Sequence, residues 1–172
     1  MKSNSISKEI SILIVMGSDS DLEVVSESIK ILKEFEVAHS VRVASAHRTP
    51  ELVINIVKEA EENGAKVIIS AAGAAAHLGG VIAAHTTLPV IGIPIDSTSF
   101  SGMDALLSTV QMPGGVPVAA MAVGKAGAKN AALFALQILA LSDKKIEKKF
   151  KKYKEDMKEQ VISKDKKIQK LI

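Results

Sequence analysis

Short apolar runs alternate with segments of helical period along this chain, and that alternation restricts its fold more than any other feature. Ile12-Leu13-Ile14-Val15-Met16 is an unbroken apolar run stopped by Gly17, and it reads as a buried strand. Leu22, Val25, Ile29 and Leu32 then recur at helical spacing between Asp21 and Phe35. Val37 to Val43 reads as the second strand. Thr49-Pro50 opens the next helix, with Thr as cap and Pro at the first helical position, and Asn63-Gly64 closes it. Val67-Ile68-Ile69 is the third strand, and a Gly/Ala-rich stretch leads into a helix over Leu78 to Thr86. Pro89 to Ile93 predicts the fourth strand, Gly102 to Gln111 a helix, and Val118 to Val123 the fifth strand. Ala128 to Leu141 is apolar nearly all round, which predicts a buried helix.

Strands alternating with helices specify an α/β fold: a parallel sheet covered on both faces, a three-layer sandwich. In such sheets ligands bind beyond the carboxyl ends of the strands. The candidate residues are therefore those just after the apolar runs. They are Gly17-Ser18-Asp19-Ser20-Asp21, Ser45-Ala46-His47-Arg48, Ala72-Gly73-Ala74-Ala75-Ala76-His77 and Gly124-Lys125-Ala126-Gly127.

The end of the chain has a different character. Ile146, Phe150, Tyr153, Met157 and Val161 form one apolar stripe on a helix running from Asp143 to about Gln169. Such a helix is about 40 Å long, and its stripe calls for a partner, most naturally a neighbouring subunit. Charge is split the same way. From Asp143 onward 12 lysines face six acids, whereas the preceding residues carry 10 basic against 13 acidic groups. A basic tail can contact nucleic acid. Here acids interleave with the lysines, which favours a solvated helix face.

Hydrophobic residues make up 47% of the chain but aromatics only 3%, so the core must be aliphatic. The absence of cysteine excludes disulfides and thiolate chemistry. No apolar run approaches the ~18 residues of a membrane span, and Met1 to Glu9 lacks the apolar core of a signal peptide. These features predict a soluble, cytoplasmic protein with no membrane contact.

Gly17 to Asp21 opens a helix directly after a strand, where backbone N–H groups and the Ser18 and Ser20 hydroxyls suit an anion. Asp is also simply a good helix cap there. The stretch lacks the Gly-Lys-Ser/Thr of a nucleotide-triphosphate loop. Arg48 is one of two arginines, the other being Arg42 within a strand, and Arg binds phosphate through two parallel hydrogen bonds. His47 is the candidate proton carrier, because histidine titrates near neutrality. His77 stands in a stretch with little else that is polar; His39 and His85 sit at element edges and receive no role. Four scattered histidines and no carboxylate cluster spell neither a zinc nor a magnesium site.

The motifs IVMGSDSD, SAHRTP, AAHL, GIP, QMPGGVPVA and AVGKAGAKNAAL stand in this order between Ile12 and Gln160. Together they closely resemble the N5-carboxyaminoimidazole ribonucleotide mutases of purine biosynthesis, the class I PurE family. The resemblance implies a flavodoxin-like sandwich assembled as a homo-octamer, with a C-terminal helix reaching a neighbouring subunit. It implies an N-terminal tail over residues 1–10, a catalytic domain over 11–142 and that helix over 143–172. It implies that Ser18, Ser20, Ser45 and Arg48 hold the 5′-phosphate, that Asp21 takes the ribose hydroxyls, and that His47 moves the proton. His77 and Leu78, with the backbone at Ala72 and Gly73, would wall the imidazole and its carboxyl group. No cofactor and no metal are implied. Members of the family often read GAGGAAHLPG where this chain reads AAGAAAHLGG, so Ala71, Ala74 and Gly79 depart from the pattern.

The nearest rival is the related carboxylase, which adds free CO2 to aminoimidazole ribonucleotide. A flavin carrier would stack aromatics on its ring, against which stand no Trp and one Tyr. A receiver domain would need an Asp at the end of the third strand, where Ile69-Ser70-Ala71 offers none.

Overall fold

The apolar runs become the strands of one sheet. In the computed structural model, which describes residues 9–171, the elements alternate along the chain. They are β1 (Ile12–Met16), α1 (Leu22–Glu34), β2 (His39–Val43), α2 (Pro50–Glu62), β3 (Val67–Gly73), α3 (Leu78–Ala83), β4 (Val90–Ile95), α4 (Met103–Val110), β5 (Ala119–Ala120), α5 (Gly124–Ala140) and α6 (Lys144–Gln169). A single 3-10 turn over Asp19–Asp21 precedes α1. All pairings are parallel, in the order β2-β1-β3-β4-β5. That is the flavodoxin-like doubly wound order, whose switch point lies between the first and third strands.

β1, β3 and β4 are buried along their apolar residues, as strands covered on both faces must be. Side chains alternate across the sheet. Leu13, Val15 and Ile68 pack with Val53, Ile56, Val57 and Ala60 of α2 and with Leu78 and Ile82 of α3. Ile12, Ile14 and Ile69 point to the opposite layer and are fully buried there. In that layer the buried Ser28 hydroxyl of α1 donates to the Ala128 carbonyl of α5 at 2.6 Å. The largest fully buried side chains are all Ile or Leu, so the core is aliphatic as the composition requires. Each contributes roughly 1.5–3 kcal/mol on burial.

The chain divides into two compact units, one ending at Ala135 and the other beginning at Leu136, so the division falls within α5. In the second unit, α6 is a 26-residue helix capped by Asp143, whose carboxylate accepts from the N–H groups of Lys145 and Ile146. Most of the tail read over residues 1–10 lies outside the described residues. Ile10 is buried, and its N–H donates to Asn63 O.

Several boundaries differ from those the sequence predicts. β5 is only two residues long: the last bond to β4 runs from Met121 N to Gly92 O at 2.9 Å, and Val118, Ala122 and Val123 lie outside the pairing. Gly124, with φ +74°, starts α5, so Gly124 to Gly127 is the first turn of a helix and not a loop. Its place is tight: a Cβ on Gly127 would fall 1.6 Å from the Ala122 carbonyl oxygen. α5 is not buried all round; Lys129, Asn130 and Phe134 face solvent while Ala128, Ala131, Ala132 and Ala135 are buried. α3 ends at Ala83, short of Thr86. Among the described residues no helix is long and apolar enough to cross a membrane.

Candidate functional site

The loops after β1, β2 and β3 meet at the carboxyl edge of the sheet, and a cavity of about 350 Å³ opens between them. Its lining includes Gly17, Ser18, Ser20, Asp21, Ser45, Ala46, His47, Arg48, Ala72, Gly73, Ala75, Leu78 and Ser97. Ser18, Ser20, Asp21, Ser45, His47, Arg48, Ala72, Gly73 and Leu78, to which the family resemblance gives roles, are all there, while His77 is not in the lining but contacts His47. The Gly124 to Gly127 stretch does not line it.

The β1 loop is held by its own hydrogen bonds. Ser18 caps the 3-10 turn: its Oγ accepts from Ser20 N at 3.3 Å, while Asp21 Oδ2 accepts from Ser18 N at 3.2 Å. The hydroxyl of Ser20 donates to Ser18 Oγ at 2.9 Å, and Ser18 Oγ donates to Asp19 Oδ1 at 3.2 Å. This reciprocal box satisfies the free N–H groups at the helix start. Asp21 is buried, and loss of water holds its carboxyl above the ordinary range, against the pull of the Ser18 N–H and the Ser20 hydroxyl. Among the described residues, Asp21 is the one carboxylate in the lining and Arg48 the one permanent cation.

The β2 loop closes on itself at Ser45. Ser45 N donates to Thr49 Oγ1 at 3.0 Å, and Thr49 returns its hydroxyl to Ser45 O at 3.2 Å. Thr49 therefore occupies the cap position of α2 without a side-chain capping bond. Its hydroxyl braces the preceding loop instead, which corrects the capping role read from the sequence. Arg48 N donates to Ser45 Oγ at 3.3 Å, and the Arg48 guanidinium reaches across to Gly17 O at 3.2 Å. That last bond ties the β1 and β2 loops together. The resulting corner gathers hydroxyls and a guanidinium on one side of the cavity, a donor set suited to a phosphate.

The end of β3 and the segment leading into α3 supply the other side. Ala72, Gly73, Ala75 and Leu78 present no polar side-chain atoms. At the meeting of the two sides, His47 Nε2 and His77 Nδ1 lie 2.9 Å apart, with the rings nearly perpendicular at 86°. One of these two nitrogens must carry the bridging hydrogen. The arrangement places a pair of imidazoles beside a small, apolar recess and next to a corner of hydroxyls and a guanidinium. Among the described residues no group of three or more His, Cys, Asp or Glu side chains is placed to hold a metal ion.

The departures from the family pattern have structural correlates. Ala74 adopts φ +52°, a left-handed backbone that costs an L-residue roughly 1–2 kcal/mol and that glycine adopts freely. Glycine loses more entropy on folding, which offsets part of that gain. Ala74→Gly is therefore expected to stabilise the protein by about 0.5–1 kcal/mol, read as a higher urea midpoint at unchanged slope. A lower midpoint would show that strain at this position is negligible. Gly79 lies under a buried hydroxyl, since a Cβ there would come within 2.8 Å of Ser70 Oγ and 3.4 Å of Val118 Cγ1. Ala71 is fully buried in β3.

Ser97 is the lining residue that sequence reading missed. It follows the carboxyl end of β4, where the same rule of ligand placement applies.

Comparison with known proteins agrees with this geometry. The family model described as AIR carboxylase matches residues 11–160. The N5-carboxyaminoimidazole ribonucleotide mutase of Pyrococcus abyssi is 57% identical over 145 residues, covering 84% of this chain and 82% of that protein. The mutase of the same name from Bacillus subtilis is 51% identical over 149 residues, covering 87% and 92%. Among solved structures, Treponema denticola PurE superposes with a TM-score of 0.82 at 34% identity, over 91% of this chain and 96% of that one. With the family model matched from β1 into α6 and the fold shared with a solved PurE, the chain belongs to the AIR carboxylase family.

Proposed function

We propose that this chain is an isomerase that converts N5-carboxyaminoimidazole ribonucleotide into 4-carboxyaminoimidazole ribonucleotide, a step of purine (IMP) biosynthesis. The observation that carries the reading is the placement of His47 between an anion-binding corner and an apolar recess. Ser18, Ser20, Ser45 and Arg48 bind the 5′-phosphate, and Asp21 accepts hydrogen bonds from the ribose hydroxyls. The backbone at Ala72 and Gly73, with His77 and Leu78, borders the imidazole and its carboxyl group.

The substrate is a carbamate on an exocyclic nitrogen. His47 delivers a proton to that nitrogen as the N–C bond breaks, and CO2 leaves. The electron-rich ring carbon C4 attacks the CO2 and forms the new C–C bond. His47 then recovers a proton from C4, which restores the aromatic ring. One proton is given and one returned, so the protein needs a single group of suitable pKa. The small side chains of the recess keep CO2 close and exclude water, which favours recapture over escape. The names of the relatives at 57% and 51% identity support the mutase over direct carboxylation by free CO2.

The test is to supply N5-carboxyaminoimidazole ribonucleotide without bicarbonate and follow the product by carbon-13 NMR or mass spectrometry. Appearance of the C4 carboxylate supports the mutase. Turnover only from aminoimidazole ribonucleotide plus CO2 would replace it with the carboxylase.

Assembly belongs to the same proposal: a cytoplasmic homo-octamer whose catalytic domain spans residues 11–142, with residues 143–172 packing on a neighbour. Along the α6 stripe Ile146 is buried and Phe150 and Tyr153 half-buried, while Met157 and Val161 are exposed in the single chain. Burying two such side chains against a neighbour contributes roughly 1.5–3 kcal/mol each. Truncation after Ser142 is expected to lower the oligomeric state in analytical ultracentrifugation and to reduce activity, although no proposed site residue is removed. A truncated chain with unchanged sedimentation, melting and turnover would show that α6 is dispensable.

A further inference from the structure

We infer that Ser97 binds the carboxylate-bearing end of the substrate, an assignment that rests on the mutase reading and deepens it. Ser97 comes two residues after Ile95, the end of β4, and Ile95 pairs with Gly73 at the end of β3. The register brings Ser97 over the backbone of the apolar recess. The fit there is close: a Cβ on Gly73 would lie 2.0 Å from Ser97 Oγ and 3.0 Å from Ser97 Cβ. Only a glycine at 73 leaves the hydroxyl its place.

The hydroxyls of the cavity are not equivalent. Those of Ser18, Ser20 and Ser45 are engaged in the hydrogen bonds that shape their own loops. Ser97 Oγ has no hydrogen-bond partner among the described residues, yet it lines the same cavity. Around it, Ala72, Ala75 and Leu78 carry no polar side-chain atom. A carboxylate brought into such a recess loses water and needs a donor in exchange. Beyond the serines and Arg48 assigned to the phosphate, the lining offers as donors His47, which hydrogen-bonds His77, and the Ser97 hydroxyl. Ser97 therefore distinguishes a ring that bears a carboxylate from one that does not, and it holds that group while His47 moves the proton.

The experiment compares two ligands on two proteins by titration calorimetry: 4-carboxyaminoimidazole ribonucleotide and aminoimidazole ribonucleotide, on the wild-type chain and on Ser97→Ala. Ser97 is exposed and alanine removes only the hydroxyl, so the variant retains its fold. The expected result is about tenfold weaker binding of the carboxylated ligand, as for a lost hydrogen bond to a charged group. Binding of the ligand without a carboxylate stays within about twofold, since its contacts are untouched. Equal weakening of both, or of neither, overturns the assignment while leaving the mutase reading intact. A wild-type chain that binds neither ribonucleotide overturns the mutase reading and this assignment together.

Discussion

His47→Asn is expected to lose turnover by about 10²–10⁴-fold while ribonucleotide binding stays within a few-fold, the range for removal of a positioned acid-base group. Asparagine is polar but shorter than histidine, so it does not reach the position from which His47 Nε2 meets His77, and it neither gives nor takes a proton at neutral pH. Ser18, Ser20, Ser45 and Arg48, which we propose hold the phosphate, do not depend on the imidazole for their hydrogen bonds. The loss should therefore fall on kcat and spare KM. Substantial residual turnover would mean that another group moves the proton. His77, 2.9 Å away, would be the first to replace next.

Arg48→Ala is expected to weaken substrate binding by about 10–100-fold, as for the loss of a charge-assisted contact to phosphate. The Arg42→Ala control should change binding by about twofold or less, because Arg42 makes a partly exposed ion pair with Glu59 at 3.3 Å, of a kind that contributes little. Arg48 also holds the Gly17 carbonyl, so part of its effect comes from loosening the β1 loop. Arg48→Lys separates the two contributions: it keeps the charge but loses the planar fork, and should recover only part of the affinity. Binding assays at fixed ionic strength decide the matter, and equal effects of Arg48→Ala and Arg42→Ala would remove Arg48 from the phosphate site.

Much of this architecture is legible in residue order because its physics is local. β1 is a short run of aliphatic residues ended by a glycine, and the structure buries Ile12 to Met16 throughout, as a central strand requires. The anion corner is legible for the same reason: serines, an aspartate and an arginine stand directly after two strands. What escapes is whatever depends on pairing between distant strands. β5 is two residues long because it borders β4 alone, through Ile91 and Gly92, and Val118 to Val123 carries no mark of where that edge ladder stops. The extension of β3 to Gly73 is set by pairing with Ala72↔Pro94 and Gly73↔Ile95, which the Ala/Gly composition of the segment does not suggest. Ser97 is invisible among the hydroxyls of Asp96 to Ser101 until the register sets it over Gly73. Thr49 reads as a cap by residue type, yet its hydroxyl is already committed to Ser45, a choice made by loop geometry.

The strand order also bears on how the chain is put together in time. β1 is made first and sits between β2 and β3, which are made next; β4 then borders β3, and β5 borders β4. Each strand leaving the ribosome therefore extends an edge that already exists, and none must wedge between two that are already paired. Parallel sheets are slow to assemble because each pairing closes a long loop, and their waiting edges invite association with other chains. Here β2 takes its final place as one edge early, and growth continues only at the opposite edge. Every cavity residue from Gly17 to Leu78 is synthesised before β4, so the last contribution to the pocket during biosynthesis is Ser97.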